Sequence, residues 1–170
     1  MTDIRMMQTH EAAQVRDLWL DNCARLSTPL PDRAARQILD NLRRTPAHPD
    51  AHCVVAVEDG TIIGFLTCSI SPHPVMPGRS GKIEELYVQP SRRRWATQAA
   101  LVRHAVGVLK QQGAQTIHVL TGLDKDEARG RAFWRQMGWV NDMTVFSIYQ
   151  SVPGDPHLQG VWDGYAVEGG

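Results

Sequence analysis

This 170-residue sequence lacks long apolar runs: no stretch approaches the roughly 20 apolar residues that cross a bilayer, so we expect no membrane partner. Its first residues also lack the apolar middle of a secretory signal. Cysteines are few. Cys23, Cys53 and Cys68 are far apart and odd in number, which excludes a disulfide framework and favours a reducing, cytoplasmic setting.

An excess of charge of one sign is missing as well. Lys plus Arg and Asp plus Glu number 18 each, so no overall field attracts nucleic acid, and we expect none as a partner. His48 and His52 are four residues apart, and Cys53 follows His52. These three residues lack further ligands at a suitable spacing, so we expect no metal.

What is present is typical of one globular domain. Hydrophobic residues make up 42% and charged residues 21% of the chain, and its length suits a single sizeable core. The segment 151–170 holds prolines and several glycines, as terminal extensions often do. We therefore predict a domain over residues 1–150 and a C-terminal extension over residues 151–170.

The apolar pattern changes from helical to strand spacing near residue 51. Before this point it predicts a short strand and two helices; after it, two strands flank Asp59-Gly60, a strong hairpin signal. The rest alternates strands with helices, at 82–88, 95–112, 116–121, about 124–137 and 140–149. This order predicts an α/β (α+β) fold, in which a mixed sheet carries helices on both faces.

The segment after the strand over 82–88 carries the strongest chemical signal. Pro90 ends the strand, and a helix begins a few residues later, where unpaired backbone N–H groups create a partial positive charge. Arg92, Arg93 and Arg94 add three cations to this same end, which is unfavourable unless an anion binds. A phosphate or pyrophosphate would resolve the conflict. The alternative is an exposed arginine cluster on a solvated loop.

The stretch Leu86-Tyr87-Val88-Gln89-Pro90, with Arg93 and Ala100-Leu101 after it, resembles the acetyl-CoA motif of the GNAT N-acetyltransferases. The resemblance implies that the strand end binds the pantetheine arm, with the backbone of Leu86 and Val88 paired to it and Tyr87 between them. It also implies that the pyrophosphate is held by the loop and helix start, namely Arg93, Arg94, Trp95, Ala96, Thr97 and Gln98. Ala96 and Gln98 stand where the family has glycines.

A second motif agrees with the first. The segment 127–139, with Phe133, Gly138 and Trp139, resembles the next helix of the family, and the two motifs together extend the resemblance to about residues 3–150. It implies a mixed, mostly antiparallel central sheet of about six to seven strands with helices on both faces. Trp134 occupies the position of the family's tyrosine beside the CoA sulfur; an indole N–H can donate a hydrogen bond but is no useful acid.

The family's reaction is a direct attack of an amine on the thioester, which needs a base. The candidates are Glu84 and Glu85, which strand alternation places on opposite faces and which a β-bulge would rearrange. The alternative is that both are ordinary polar strand residues.

We therefore expect an acetyl-CoA-dependent N-acetyltransferase that acts on a primary amine of a small molecule, with a homodimer as one expected assembly. Two alternatives stay open. Gln98 and Trp134 favour a catalytically weak or inactive acyl-CoA-binding module, and a protein or peptide N-acetyltransferase is the other possibility.

Overall fold

The strands follow one another in the sheet in the same order as along the chain. The computed structural model describes residues 2–25, 31–72, 78–92, 94–119 and 127–139, which belong to one compact unit, Met1–Trp139. The strands of these residues are β1 Asp3–Met6, β2 Ala51–Glu58, β3 Thr61–Pro72, β4 Arg79–Val88 and β5 Ala114–Val119. Their α-helices are α1 Ala12–Arg25, α2 Asp32–Arg44, α3 Trp95–Gln111 and α4 Glu127–Gln136.

The sheet is mixed and mostly antiparallel, as predicted. Strands β1 to β4 pair antiparallel with their neighbours, whereas β5 runs parallel to β4 after the α3 crossover. Five strands lie among the described residues, where about six to seven were expected. The predicted strand over 140–149 and the boundary near residue 150 lie outside those residues.

The turn between β2 and β3 is the hairpin that the sequence predicts. Asp59 and Gly60 both have positive φ, 51° and 76°, and the flanking Glu58 pairs with Thr61. Two left-handed residues in succession match the twist of the strands they join, which is why Asp-Gly is favoured there.

Side chains of the sheet enter two separate cores, one on each face, so helices on both faces are confirmed. The core that we call the α1 core contains Met7, Ala12, Val15, Leu18, Leu42, Cys53, Val55, Ile62, Phe65 and Tyr87. The opposite one, the α3 core, contains Val54, Ala56, Ile63, Leu66, Cys68, Ile70, Ile83, Val88, Leu101, Val102, Ala105, Leu109 and Trp134. None of the described helices is long and apolar enough to cross a membrane.

The pairing of β3 with β4 depends on a glycine. Gly64 lies opposite Val88, and a Cβ at Gly64 would come within 2.8 Å of both the Tyr87 carbonyl oxygen and the Val88 Cγ2. Backbone occupies part of this space, so rotation of a side chain cannot clear it. Gly107 in α3 differs, because a Cβ there meets nothing within 4 Å.

Two glycine substitutions should therefore act in opposite directions. Gly64→Ala should destabilise the protein by about 1–3 kcal/mol, because the added methyl overpacks the strand pair. Gly107→Ala should stabilise it by roughly 0.5–1 kcal/mol, because alanine restricts the unfolded chain and favours the helix. Both stability changes can be measured as shifts of the urea unfolding midpoint from that of the wild type. Equal midpoints for the two variants would contradict the close approach at Gly64.

An ion pair joins β1 to the turn before α1. Arg5 donates two hydrogen bonds to the Glu11 carboxylate, at 2.8 and 2.6 Å, and the Gln8 backbone N–H donates a third, at 2.8 Å. Glu11 is buried, and its pKa is lowered chiefly by the hydrogen bonds from Arg5, against the opposing effect of burial. The charged carboxylate therefore stabilises the fold above the ordinary pKa of glutamate, and this stabilisation is lost as the pH falls through the lowered pKa.

Replacing Glu11 should reveal this pH dependence. Glu11→Gln should lower the free energy of unfolding by about 2 kcal/mol at neutral pH, because hydrogen bonds to a charged group are lost. The difference in free energy of unfolding between this variant and the wild type should disappear at acid pH, where Glu11 is protonated. Asp17→Asn, which breaks the exposed pair with Arg16, is the control and should cost less than about 1 kcal/mol. A difference in unfolding free energy that stays constant with pH would contradict the stabilising role of the charged Glu11.

Candidate functional site

Within the described ranges, strand β4 is paired on both edges for only part of its length. Its ladder with β3 continues to Val88, opposite Gly64. Its parallel ladder with β5 extends, among the described residues, to Ile83, opposite Val119. Beyond that point the second edge of β4 has no strand partner among the described residues. An unpaired edge presents N–H and C=O groups that an extended ligand can pair with.

The backbone direction at the end of β4 can be worked out from one hydrogen bond. The Gln89 N–H donates to the Ile63 oxygen at 2.9 Å, so Gln89 points towards β3. Because successive residues of a strand point their N–H groups to opposite edges, Val88 and Leu86 direct theirs to the unpaired edge. These are the two residues whose backbone the sequence resemblance assigns to the pantetheine arm.

A β-bulge interrupts β4 at the predicted carboxylates. Thr67 of β3 lies opposite Glu85, but the next residue, Cys68, lies opposite Ile83, so Glu84 is the extra residue. A bulge leaves its residue unpaired and changes the faces to which the neighbouring side chains point.

Beyond the bulge, the faces of β4 can be assigned from its contacts. Leu86 and Val88 contact the α3 core, whereas Tyr87 belongs to the α1 core. Alternation therefore places Glu85 on the face of α1, where it accepts a hydrogen bond from the Trp19 side chain.

Glu84 lies on that same face. It accepts a hydrogen bond from the Ser69 hydroxyl at 2.8 Å, and Ser69 lies between two residues of the α3 core on β3, Cys68 and Ile70, so it faces α1. Lys82 is 3.8 Å from the Glu84 carboxylate. Simple alternation places the two glutamates on opposite faces; the bulge is the reason that the structure brings them together.

The two carboxylates have different environments. Glu84 is exposed, whereas Glu85 is partly buried. Burial raises the pKa of Glu85 because it penalises the charged form, the nearby charge of Glu84 raises it further, and the hydrogen bond from Trp19 partly offsets both. A carboxylate with a raised pKa is a stronger base than an ordinary glutamate.

The Tyr87 side chain is held on the α1 side of the sheet. It is 1% exposed, packs 6.2 Å from the Phe65 ring, and donates its hydroxyl proton to Asp21 of α1. Tyr87 thus joins β4 to α1, and only its backbone lies between the two residues that point to the unpaired edge. The sequence offered no signal for Asp21, because its partner lies 66 positions away.

The start of α3 has no cap from the residues that the structure describes. Arg94 is the N-cap residue, its side chain makes no capping hydrogen bond, and the first turn holds no acidic residue. The Thr97 and Gln98 N–H groups donate hydrogen bonds to the Arg94 carbonyl oxygen. The N–H groups of Trp95 and Ala96 have no acceptor among the described residues. Such a helix start favours an external anion.

The other residues predicted at this loop are placed as follows. Ala96 is exposed, Thr97 is buried and Gln98 is partly buried. Arg93 lies outside the described residues. The Arg92 guanidinium donates to Glu58 at 3.0 Å, so this cation already has an acidic partner.

Trp134, which the resemblance places beside the CoA sulfur, is part of an aromatic cluster. It is 9% exposed, with its ring centroid 5.1 Å from that of Phe133 and 5.0 Å from that of Trp139. Phe133 in turn contacts Trp95 edge-on at 6.4 Å, which connects α4 to the first residue of α3. Within the described ranges no group of three or more His, Cys, Asp or Glu side chains is arranged to hold a metal ion.

Comparison with known proteins agrees with this geometry. The model of the Acetyltransferase (GNAT) family matches residues 13–139. A search of curated proteins found no match.

Several solved structures share the fold. A transcriptional regulator from Bacillus halodurans C-125 has a TM-score of 0.75 at 17% identity, covering 88% of this chain and 99% of its own. A ribosomal-protein-alanine N-acetyltransferase from Brucella melitensis biovar Abortus 2308 has a TM-score of 0.67 at 18% identity, with coverages of 88% and 99%. An aminoglycoside N-acetyltransferase in complex with CoA has a TM-score of 0.72 at 19% identity, with coverages of 89% and 96%.

Sequence identities this low show the fold alone, whereas the family model matches the sequence itself over most of its length. The chain therefore belongs to the acetyltransferase (GNAT) family.

Proposed function

We propose that this protein transfers an acetyl group from acetyl-CoA to a primary amine of a small molecule. The observation that carries the proposal is the bulge in β4, which brings the partly buried Glu85 onto the same face as Glu84, just beyond the last described pairing of β4 with β5. If the pantetheine arm of acetyl-CoA pairs with the edge of β4 beyond this point, its thioester would lie close to a base. The similarity to an aminoglycoside acetyltransferase supports a small-molecule acceptor.

The chain has groups that fit both ends of acetyl-CoA, which as a substrate supplies the thioester carbonyl. The uncapped start of α3, with the amides of Trp95 and Ala96, suits the pyrophosphate. The family resemblance adds Arg93, Arg94, Thr97 and Gln98 around it. The backbone groups of Leu86 and Val88 suit the amides of the pantetheine arm, as one strand suits another.

In this proposal Glu85 is the general base and Glu84 raises its pKa. Glu85 takes a proton from the amine, directly or through one water, as the new N–C bond forms and the C–S bond breaks. The released sulfur then needs a proton. Trp134 is buried among aromatic rings and has no acidic proton, so solvent is the proton source that we propose.

The acceptor site lies, on this view, on the α1 side of β4. Trp19 and Asp21 of α1 are held there by their contacts with Glu85 and Tyr87. We also propose a reducing, cytoplasmic setting, because the three cysteines are buried and free.

Binding and turnover can be tested separately. Calorimetric titration with acetyl-CoA should show binding, and release of free thiol across a panel of amines should show transfer. Binding without thiol release from any amine would favour the non-catalytic alternative. The absence of heat at millimolar acetyl-CoA would exclude both the acetyltransferase and the non-catalytic acyl-CoA-binding module.

The placement of the pyrophosphate can be tested with two adjacent arginines. Arg93→Ala should weaken acetyl-CoA binding about tenfold, because a charge-assisted contact is lost. Arg92→Ala is the matched control and should change the affinity less, since Arg92 already pairs with Glu58. If the Arg93 variant binds as tightly as the wild type, the pyrophosphate lies elsewhere.

Glu85→Gln should separate catalysis from stability. The turnover rate should fall by about 10²-fold, because the base is lost. A raised pKa means that the charged form weakens the fold, and this loss of stability is complete once the pH has risen through the folded pKa. Removing the charge should therefore raise the thermal midpoint at neutral pH. A variant that is slow because it is misfolded would instead unfold at a lower temperature.

Glu84→Gln is the companion variant. It removes the neighbouring negative charge, so the pKa of Glu85 should fall and the acid limb of the pH profile of kcat/KM should move to lower pH. The rate at its optimum should change far less than in the Glu85 variant. Wild-type rates and pH profiles in both variants would remove these carboxylates from the mechanism.

A further inference from the structure

Lys82 places a primary amine of the chain itself beside the two carboxylates of β4. Lysine is scarce in this protein: of its 18 Lys and Arg residues, three are lysines, namely Lys82, Lys110 and Lys125. The Lys82 Nζ is 3.8 Å from the Glu84 carboxylate, and its side chain is 45% exposed. This amine therefore contacts a carboxylate and is open to solvent at the same time.

The register between β3 and β4 fixes the face to which Lys82 points. Lys82 pairs with Ser69, whose hydroxyl donates to Glu84 on the α1 side of the sheet. Directly paired residues of antiparallel strands lie on the same face. The next residue, Ile83, is buried in the α3 core, as alternation requires. Lys82, Glu84 and Glu85 therefore share the α1 face.

The direction in which acetyl-CoA would lie brings its thioester towards this amine. In the proposed function the pyrophosphate binds at the start of α3, beyond the C-terminal end of β4, and the pantetheine arm pairs first with Val88 and then with Leu86. An arm that continues in this direction carries its thioester towards Glu85 and, on the other side of the bulge, towards Lys82. The flexible four-carbon side chain of a lysine can bring its amine to such a point.

We propose that this protein acetylates its own Lys82, an inference that rests on the proposed function. The Lys82 ammonium first releases one proton to solvent. Its free amine then attacks the carbonyl carbon of the thioester, so that the N–C bond forms as the C–S bond breaks. Glu85 takes the second proton from the nitrogen, directly or through one water, and later returns it to solvent. The CoA sulfur takes a proton from solvent, and the products are acetylated Lys82 and free CoA.

Position is what selects Lys82 among the lysines. An amine held beside the thioester reacts as if it were present at a very high local concentration. Lys110 is exposed in the last turn of α3, at the end of that helix opposite to the proposed pyrophosphate site. Acetylation of Lys82 would also remove the positive charge beside Glu84 and leave two carboxylates on this part of the α1 face.

Timed incubation with acetyl-CoA, followed by peptide mass spectrometry, measures the acetylated fraction of each lysine. Lys82 should be acetylated at least about tenfold faster than Lys110, because only Lys82 is held beside the thioester. Lys110 is the internal control for chemical acetylation of an exposed lysine. The same protein unfolded in urea gives the uncatalysed rate of Lys82, and in that state both lysines should react at similar rates.

Two variants and two conditions test the assignment. Glu85→Gln should slow the acetylation of Lys82 by about 10²-fold, because the base is lost. Lys82→Arg keeps a cation beside Glu84 and should abolish acetyl incorporation at this position, and thermal midpoints verify that both variants fold. The rate should be independent of protein concentration, because the reaction occurs within one chain. An amine that the protein acetylates well should slow the modification of Lys82, since both acceptors use the same thioester.

The outcomes separate this inference from the proposed function. If small amines are acetylated while Lys82 reacts no faster than Lys110, the proposal of self-acetylation is wrong and the proposed function stands. If Lys82 is acetylated through Glu85 but no amine of the panel is, self-acetylation stands and the small-molecule acceptor is wrong. A Lys82 rate that is unchanged by Glu85→Gln, or that rises with protein concentration, overturns self-acetylation within one chain.

Discussion

The unequal pairing of β4 is the constraint on which the rest of the site depends. On one edge β3 pairs with it to Val88; on the other, the described part of β5 pairs with it only as far as Ile83. Backbone groups that lose a partner inside a sheet must find another acceptor or donor, or stay hydrated. The bulge at Glu84 occurs next to Ile83, the last residue of β4 that pairs with the described part of β5. This one irregularity in the β3–β4 register brings the two carboxylates together on one face of the sheet.

The position of Glu85 shows a compromise between stability and reactivity. Burial beside another glutamate raises its pKa and disfavours its charged form, which a purely structural residue would avoid. Neighbouring contacts hold Glu85 there. Trp19 donates a hydrogen bond to it, and the buried Tyr87, two residues further along β4, is hydrogen-bonded to Asp21 of α1. The same raised pKa makes the carboxylate a better proton acceptor, so its cost to the fold and its use in the proposed reaction have one physical cause.

Aromatic packing replaces small residues at the other end of the site. The family resemblance places small and polar residues at the start of α3 and a tyrosine on α4, where this chain has Trp95 and Trp134. The structure connects the two positions through Phe133. Trp134 becomes part of the α3 core, whereas Trp95 remains exposed and carries Arg103 above its ring. These aromatic residues thus hold α3 and α4 together and leave the Trp95 ring exposed between the two helices.

The sequence by itself determined the order of the elements, the hairpin and the helix start. Asp59-Gly60 and Pro90 act through the conformational limits of one or two residues, so neighbours along the chain suffice to interpret them. Only the tertiary structure decided that Glu84 and Glu85 share a face, that Tyr87 meets Asp21, and that Trp95 meets Phe133. These contacts depend on strand register and helix docking between segments far apart in the chain, and no local pattern encodes either.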